Sequence, residues 1–145
     1  MSSPLSAFSA SYGLSGCALR FSNIYGPRSF HKGSVVAAFY KKLLAGESLE
    51  VFGDGSQARD YLYIGDLVEA IWAAIDSDAE GAFQLGSGRP TTINELLDAM
   101  RRVTGREIEV DYRDFRPGEV RVTWCQVDKA RRVLGFNPVT TLDDG

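Results

Sequence analysis

Apolar residues recur at spacings of three and four along several stretches of the chain, and this periodicity predicts amphipathic helices. In GSVVAAFYKKLLAG, Ser34 can cap the start of a helix, and Gly46 can supply the left-handed residue that ends it. In DLVEAIWAAI, Asp66 and Glu69 have the spacing of a capping box, with Asp in place of Ser or Thr. The positions expected to face the core are Val36, Phe39, Tyr40, Leu43 and Leu44 in the first helix and Leu67, Ile71, Ala74 and Ile75 in the second.

Further helices alternate with short strands. A helix is expected to open at Thr92, with Glu95 completing a capping box, and to end at Gly105. A shorter one, DKARRVLG, runs from Asp128 to Gly135. Stretches rich in β-branched and aromatic residues predict strands at CALRF, LEVF, YLYI, AFQL and IEVDY. The alternation indicates an α/β or α+β fold, and the third helix is expected to bury Ile93, Leu96, Leu97, Met100 and Val103.

The composition suits one compact domain over residues 1–145, because 44% of the residues are hydrophobic and 24% are charged. No apolar run reaches the roughly 18 to 20 residues that cross a bilayer, and the first residues lack the pattern of a signal peptide. We therefore expect a cytoplasmic protein with no membrane contact. A net charge of −3 argues against binding to nucleic acid, which needs a basic surface.

Several chemistries are poorly supported by the residues present. Cys17 and Cys125 match no metal or redox spacing, so buried thiols in a reducing compartment are expected. His31 is the single histidine and has no ligand-forming neighbours, so no metal site is predicted. A serine hydrolase would need a G-x-S-x-G turn, which does not occur. A glycosidase with two carboxylates is not excluded, since 19 acidic residues always offer some pair.

The loops carry the polar residues that invite a functional interpretation. RFSNIYGPR places Ser22 and Asn23 at the end of an apolar strand, where core residues would otherwise stand. Arg59 follows a Gly-Asp-Gly turn and is placed either to bind a phosphate or to form a surface pair with Asp60. Arg116 precedes a rigid Pro-Gly turn and poses the same choice. Each signal is weak by itself.

Taken together and in order, the motifs carry a specific resemblance. ALRFSNIYGPR, GESLEVFGDGSQARDYLYIGDLVEAI, FQLGSGRPTTINELLDAM, RPGEVR and DKARRVLGFNP resemble the C-terminal half of the NAD-dependent epimerase/dehydratase family, over roughly residues 8–145. These proteins are extended short-chain dehydrogenases that act on nucleoside-diphosphate sugars, such as UDP-glucose 4-epimerase. The resemblance implies an α/β fold, with a remnant of a Rossmann-like sheet and a small α/β substrate domain.

The resemblance also implies roles for particular residues. Positions matching Phe21 and Ser22 lie near the nicotinamide of the cofactor in the family, and the position matching Asn23 contacts the diphosphate of the sugar nucleotide. Positions matching Arg59 and Arg116 are phosphate ligands. The other positions expected at the substrate are Ser34 and Val35, at a helix start near the diphosphate, and Val51 and Phe52, whose backbone borders the base.

Two parts of the family's machinery are absent from this sequence. No glycine-rich G-x-x-G-x-x-G turn follows an early strand, so the N-terminal dinucleotide-binding half is absent and NAD is not expected to bind this chain alone. The catalytic Tyr-x-x-x-Lys is also missing, since Tyr12 is followed at that spacing by Gly16 and Tyr40 by Leu44. The stretch LSAFSASYGLSG resembles the tail of the helix that carries this motif. The C-terminal TTLDDG stands where the family continues into a closing helix.

Two hypotheses follow. The first is a domain that binds a UDP-sugar or another nucleotide-sugar, has no catalytic residue of its own and is inactive alone. The second is a structural or interaction protein, in which strands without partners are covered by another copy of the chain or by a separate cofactor-binding subunit. Under either hypothesis we expect a homo-oligomer, because an exposed apolar sheet edge rarely stays monomeric.

Overall fold

The computed structural model describes residues 11–13 and 16–145. The predicted helix tail at residues 5–16 falls largely outside these ranges. In chain order the elements are β1 (Cys17–Phe21), β2 (Asn23–Tyr25), α1 (Val35–Ala45), β3 (Leu49–Phe52), β4 (Ala58–Arg59), β5 (Tyr61–Tyr63), α2 (Ile64–Ile75), β6 (Gly81–Leu85), β7 (Thr91–Thr92), α3 (Ile93–Thr104), β8 (Val110–Arg113) and α4 (Asp128–Leu134). The helices and strands predicted from the sequence are all present, and the α/β class is confirmed.

The strands pair in short ladders, most of which are parallel. β1 pairs with β6, β2 with β5 and β3 with β8, each in parallel, whereas β4 and β7 are antiparallel. The chain passes from the β1–β6 ladder to the β2–β5 ladder at Ser22 and Asn23. There the backbone N–H of Ser22 donates to the carbonyl of Leu85, and that of Asn23 donates to the carbonyl of Asp60. These two residues therefore lie at the junction of two ladders.

A side-chain capping bond forms at the start of α3 but not at the start of α1. At the start of α3, the Thr92 hydroxyl accepts from the N–H of Glu95, whose carboxylate accepts in return from the N–H of Thr92. This confirms the predicted capping box. At the start of α1, Ser34 occupies the capping position but its side chain makes no capping bond. α1, α3 and α4 end as predicted, at Gly46, Gly105 and Gly135 in left-handed conformations.

The predicted start of α2 is wrong, and its predicted buried face is confirmed only in part, since Ala74 is half-buried. The helix begins at Ile64, two residues before Asp66, so Asp66 does not cap it. Its carboxylate instead accepts from the backbone N–H groups of Val139 and Thr140 and from the Thr140 hydroxyl. Leu67 is buried as expected, but Ile71 and Ile75 are 38% and 64% exposed.

The buried stripes of α1 and α3 are confirmed in most positions, but Tyr40 on α1 is only half-buried. Val36, Phe39 and Leu43 are buried on α1, whereas Leu44 is exposed. Val103 is likewise exposed on α3, and both side chains line a second cavity. Buried on α3 as predicted are Ile93, Leu96, Leu97 and Met100.

The core forms two clusters of buried residues. The first packs α1, α3 and β3 together around residues such as Phe39, Leu49 and Leu97. The second packs α2 and α4 against the β1–β6 ladder around Phe83 and Leu85. This division matches the expected sheet remnant and small α/β unit. Within the part of the chain that the structure describes, no helix is long and apolar enough to cross a bilayer.

Candidate functional site

A cleft of about 380 Å³ opens beside the first core cluster. Its walls come from the start of α1, the end of β3, the segment that leads from β4 into β5, and the turn at residues 116–119. The cleft brings together all seven residues predicted at the substrate, namely Asn23, Ser34, Val35, Val51, Phe52, Arg59 and Arg116. Residues from five separate parts of the sequence thus meet at one surface, and their individual roles stay predictions.

The start of α1 lines this cleft and carries backbone donors that have no partner within the helix. Val35 and Val36 line it, and the first backbone bond of the helix runs from the N–H of Ala38 to the carbonyl of Ser34. The N–H groups before Ala38 have no partner within the helix, and the first turn carries no acidic residue. An anion in the cleft would therefore meet free N–H donors and the positive end of the helix dipole.

Arg59 supplies a cation that is already oriented. Its Nη1 donates to the carbonyl of Ala58 at 2.9 Å, and its Nη2 lies 3.5 Å from the Glu119 carboxylate. The alternative of a surface pair with Asp60 is wrong, because Asp60 is buried and directed elsewhere. Glu119 already uses one of the Arg59 donors that a phosphate would need. An anionic ligand would therefore compete with Glu119 for Arg59.

Arg116 supplies a second cation, held in a different way. Its guanidinium lies over the Phe52 ring, 3.6 Å from the ring centre. A stacked guanidinium keeps its N–H donors in plane and free for bidentate binding of a phosphate. The turn that carries it is closed by a bond from the N–H of Glu119 to the carbonyl of Arg116, with Gly118 at φ 79°. One short turn thus contributes both Arg116 and Glu119 to the cleft.

Three buried side-chain atoms around the cleft have no hydrogen-bond partner among the described residues. They are Ser34 Oγ, Gln57 Oε1 and the Tyr61 hydroxyl. Burial raises the pKa of Tyr61 to about 12, against a smaller opposing effect of Arg59, so the phenol keeps its proton at neutral pH. Buried polar atoms are normally paired, so this concentration at one surface points to a bound partner.

Gln57, Tyr61 and Glu119 line the cleft but were not among the predicted residues. Gln57 and Tyr61 stand two residues before and after Arg59, on the same alternating face of an extended segment. This two-residue periodicity was the sequence signal that could have added Gln57 and Tyr61 to the predicted site. Glu119 lies three residues after Arg116 in the Pro-Gly turn, and its place in that turn was the available signal for it.

The two residues predicted near a cofactor lie outside this cleft, at the end of β1. Phe21 is exposed, and the Ser22 hydroxyl donates to the carboxylate of Asp60 at 3.3 Å. Asn23 bridges the two places, because it lines the cleft and its side-chain amide donates to the backbone carbonyl of Asp60 at 3.0 Å. Asp60 therefore connects the end of β1, where a cofactor was predicted, to the cleft where the substrate was predicted.

Asp60 is a buried carboxylate held by backbone and hydroxyl donors. It is 1% exposed and accepts from the backbone N–H groups of Ser87, Gly88 and Cys125 at 2.7 to 3.1 Å. The hydroxyls of Ser22 and Ser87 add two further donors. A Cβ at Gly86 would collide with this carboxylate and lie 2.8 Å from Cys125 Cβ, which explains a glycine there. The network fixes the loop after β6 against the segment after β4.

The cleft offers side chains and backbone groups that can bind an anionic ligand. Two guanidinium groups and a helix start can hold an anion, and unpaired hydroxyl and amide atoms can orient its uncharged part. Across residues 11–13 and 16–145, no group of three or more acidic, histidine or cysteine side chains is placed to hold a metal ion. Cys17 and Cys125 are free thiols and half-buried, and burial raises the pKa of Cys125.

Among the known sequences similar to this chain are epimerases of UDP-sugars. A sequence model of the NAD dependent epimerase/dehydratase family matches residues 2–86. A putative UDP-glucose 4-epimerase of Methanocaldococcus jannaschii is 37% identical over 136 residues, which are 92% of this chain and 44% of that protein. A UDP-glucuronate 4-epimerase of Thermodesulfobacterium geofontis is 30% identical over 135 residues, 92% of this chain and 42% of that protein.

Solved structures of UDP-glucose 4-epimerases are also similar to this chain. UDP-glucose 4-epimerase of Thermotoga maritima, determined with UDP-glucose, superposes with a TM-score of 0.89 at 38% identity, over 97% of this chain and 46% of that one. UDP-glucose 4-epimerase of Thermus thermophilus, in complex with NAD, superposes with a TM-score of 0.84 at 34% identity, over 97% and 47%. This chain spans less than half the length of these proteins. The predicted family and its extended short-chain dehydrogenase fold are confirmed, and the chain belongs to the NAD-dependent epimerase/dehydratase family.

Proposed function

We propose that this chain is the nucleoside-diphosphate-sugar-binding part of a protein of this family, and that by itself it binds the ligand without transforming it. One observation carries the proposal: Arg59, Arg116 and the N-terminus of α1 converge on one cleft. Two cations and a positive helix end suit the two negative charges of a diphosphate. UDP-glucose is our choice of first ligand, because the Thermotoga maritima structure described above was determined with it.

The residues present do not fit a complete dinucleotide site. The Ser22 hydroxyl donates its hydrogen bond to Asp60 and its backbone N–H donates to Leu85, so neither donor is free to hold a cofactor. The sequence also has no glycine-rich turn of the kind that binds the pyrophosphate of NAD, and no Tyr-x-x-x-Lys. We therefore propose that hydride transfer needs groups that these 145 residues do not supply.

A titration panel tests this proposal directly. UDP-glucose and UDP should bind to the isolated chain and raise its melting temperature, because a ligand that binds only the folded state stabilises it. Uridine, which lacks the diphosphate, should give little response. NADH has a diphosphate but should bind much more weakly than UDP-glucose, because the chain has no glycine-rich turn to hold the dinucleotide. Calorimetry with each ligand provides the measurement. If UDP binds no better than uridine, the cleft is not a diphosphate site, and micromolar binding of NADH would refute the proposed absence of a cofactor site.

A second candidate function is supported by the exposed face of α2. Val68, Trp72 and Ile75 are 41%, 58% and 64% exposed and stand at helical spacing on one face. Such a face suits contact with another protein surface, as the structural or interaction hypothesis requires. The expected result is a homodimer or larger species by light scattering, lost on Trp72→Glu. A monomer at high concentration would contradict this second function and leave the first intact.

A further inference from the structure

The side chain of Gln57 is fixed in one orientation, and its amide oxygen is left without a hydrogen-bond partner among the described residues. Its Nε2 donates to the backbone carbonyl of Phe52 at 2.8 Å. Rotating the amide by half a turn would place two oxygens against each other, so the assignment of nitrogen and oxygen is decided by Phe52. The backbone of Gln57 is also held, since its carbonyl accepts from the N–H of Ile93 at 3.1 Å. Oε1 is buried and has no partner among the described residues.

An unpaired amide oxygen selects for one kind of ligand atom. It accepts hydrogen bonds and cannot donate them, so it can be satisfied only by an O–H or N–H group. An ionised diphosphate has no such group and would repel the oxygen. The other unpaired atoms at the cleft, Ser34 Oγ and the Tyr61 hydroxyl, can either donate or accept, and they therefore do not discriminate. Gln57 alone among these three demands a donor from the ligand.

We infer that Gln57 is a specificity-determining residue of this cleft, which accepts a hydrogen bond from an uncharged donor group of the bound nucleotide. The inference rests on the proposed function and adds the orientation of the bound ligand in the cleft. The phosphates lie toward Arg59, Arg116 and the start of α1, whereas a hydroxyl or N–H of the base, ribose or sugar lies against Gln57. A site that provides a buried acceptor rejects analogues that lack the matching donor, because the acceptor then stays unpaired.

The test compares Gln57→Met with a matched control. Methionine keeps the length of the side chain and removes the acceptor. Asn94→Leu removes another amide that donates to a loop carbonyl, that of Asp54 at 3.0 Å, but Asn94 does not line the cleft. Calorimetric titration of the whole chain with UDP-glucose should show binding weakened about five- to tenfold in Gln57→Met and unchanged in Asn94→Leu. Pyrophosphate, which offers no uncharged donor group, should bind the wild type and both variants equally.

Ligand analogues then locate the donor. UDP lacks the pyranose hydroxyls, 2′-deoxy-UDP lacks a ribose hydroxyl and N3-methyl-UDP lacks the base N–H. The analogue without the relevant donor should bind the wild type more weakly and be insensitive to Gln57→Met, as in a double-mutant cycle. Equal weakening of pyrophosphate and UDP-glucose, or no weakening of either, would overturn the role of Gln57 while the proposed function stands. If the wild type binds none of these ligands, the proposed function fails and this inference fails with it.

Discussion

Replacing Arg59 or Arg116 by alanine should weaken the binding of UDP about ten- to hundredfold. Each change removes a hydrogen bond between a guanidinium and a phosphate, and such charge-assisted bonds contribute roughly 1.5 to 3 kcal/mol. Because uridine has no diphosphate, its weak binding should not respond to either change. Calorimetric titration of the wild type and both variants with UDP and with uridine measures the difference.

The two variants should differ in stability, and this separates binding from folding. Arg116 is exposed and is held by stacking on Phe52, so its loss should leave the melting temperature of the free protein nearly unchanged. Arg59 is partly buried, and Arg59→Ala removes its ion pair with Glu119. A partly exposed pair of this kind typically contributes about 0 to 1 kcal/mol to the free energy of unfolding. A fall in affinity without a matching fall in stability is therefore the signature of a ligand contact.

Two further variants sharpen this comparison. Arg59→Lys keeps the charge but loses the planar fork, so its affinity should fall between those of the wild type and the alanine variant. Arg102→Ala removes the same charge from an exposed pair with Asp143 outside the cleft, and UDP should bind it as tightly as the wild type. If Arg59→Ala, Arg116→Ala and Arg102→Ala bind UDP equally well, the cleft arginines are ordinary surface charges.

Local signals in the sequence predicted the elements well, because they act over a few residues. The capping box at Thr92 and the terminal glycines of α1, α3 and α4 depend on neighbours three or four positions away, and all of them are confirmed. The same kind of signal failed at Asp66, whose carboxylate is used by Val139 and Thr140, more than 70 positions later. Spacing along a helix cannot reveal that the Asp66 carboxylate accepts hydrogen bonds from a distant segment of the chain.

The composition of the cleft was predictable only through the resemblance to a family. That resemblance placed seven residues, which the fold brings to one surface. Residue adjacency suggested instead that Arg59 pairs with Asp60. Successive side chains of an extended segment point to opposite faces, so Arg59 faces the cleft and Asp60 faces the interior. The same alternation places Gln57 and Tyr61 beside Arg59, and applying it would have extended the predicted site.

The interior role of Asp60 leads to the largest expected effect on stability. Asp60→Ala should lower the free energy of unfolding by about 3 to 5 kcal/mol. The change leaves the N–H groups of Ser87, Gly88 and Cys125 without their acceptor, and each unpaired buried group costs roughly 1 to 3 kcal/mol when water cannot replace it. Domains are typically stable by only about 5 to 15 kcal/mol, so this loss is a large share of the total and should lower the unfolding midpoint clearly.

Asp60→Asn and Ser87→Ala keep this prediction testable if the alanine variant does not fold. The amide that Asp60→Asn introduces can place its oxygen at the Oδ1 position, but its nitrogen then opposes the N–H groups of Gly88 and Cys125, so about half of the full loss is expected. Ser87→Ala removes one hydroxyl donor and leaves all three backbone bonds, which should cost about 1 kcal/mol. Urea unfolding, extrapolated linearly to water, ranks the variants. An Asp60→Asn protein as stable as the wild type would show that water satisfies these N–H groups and that the carboxylate does not hold the loop after β6 in place.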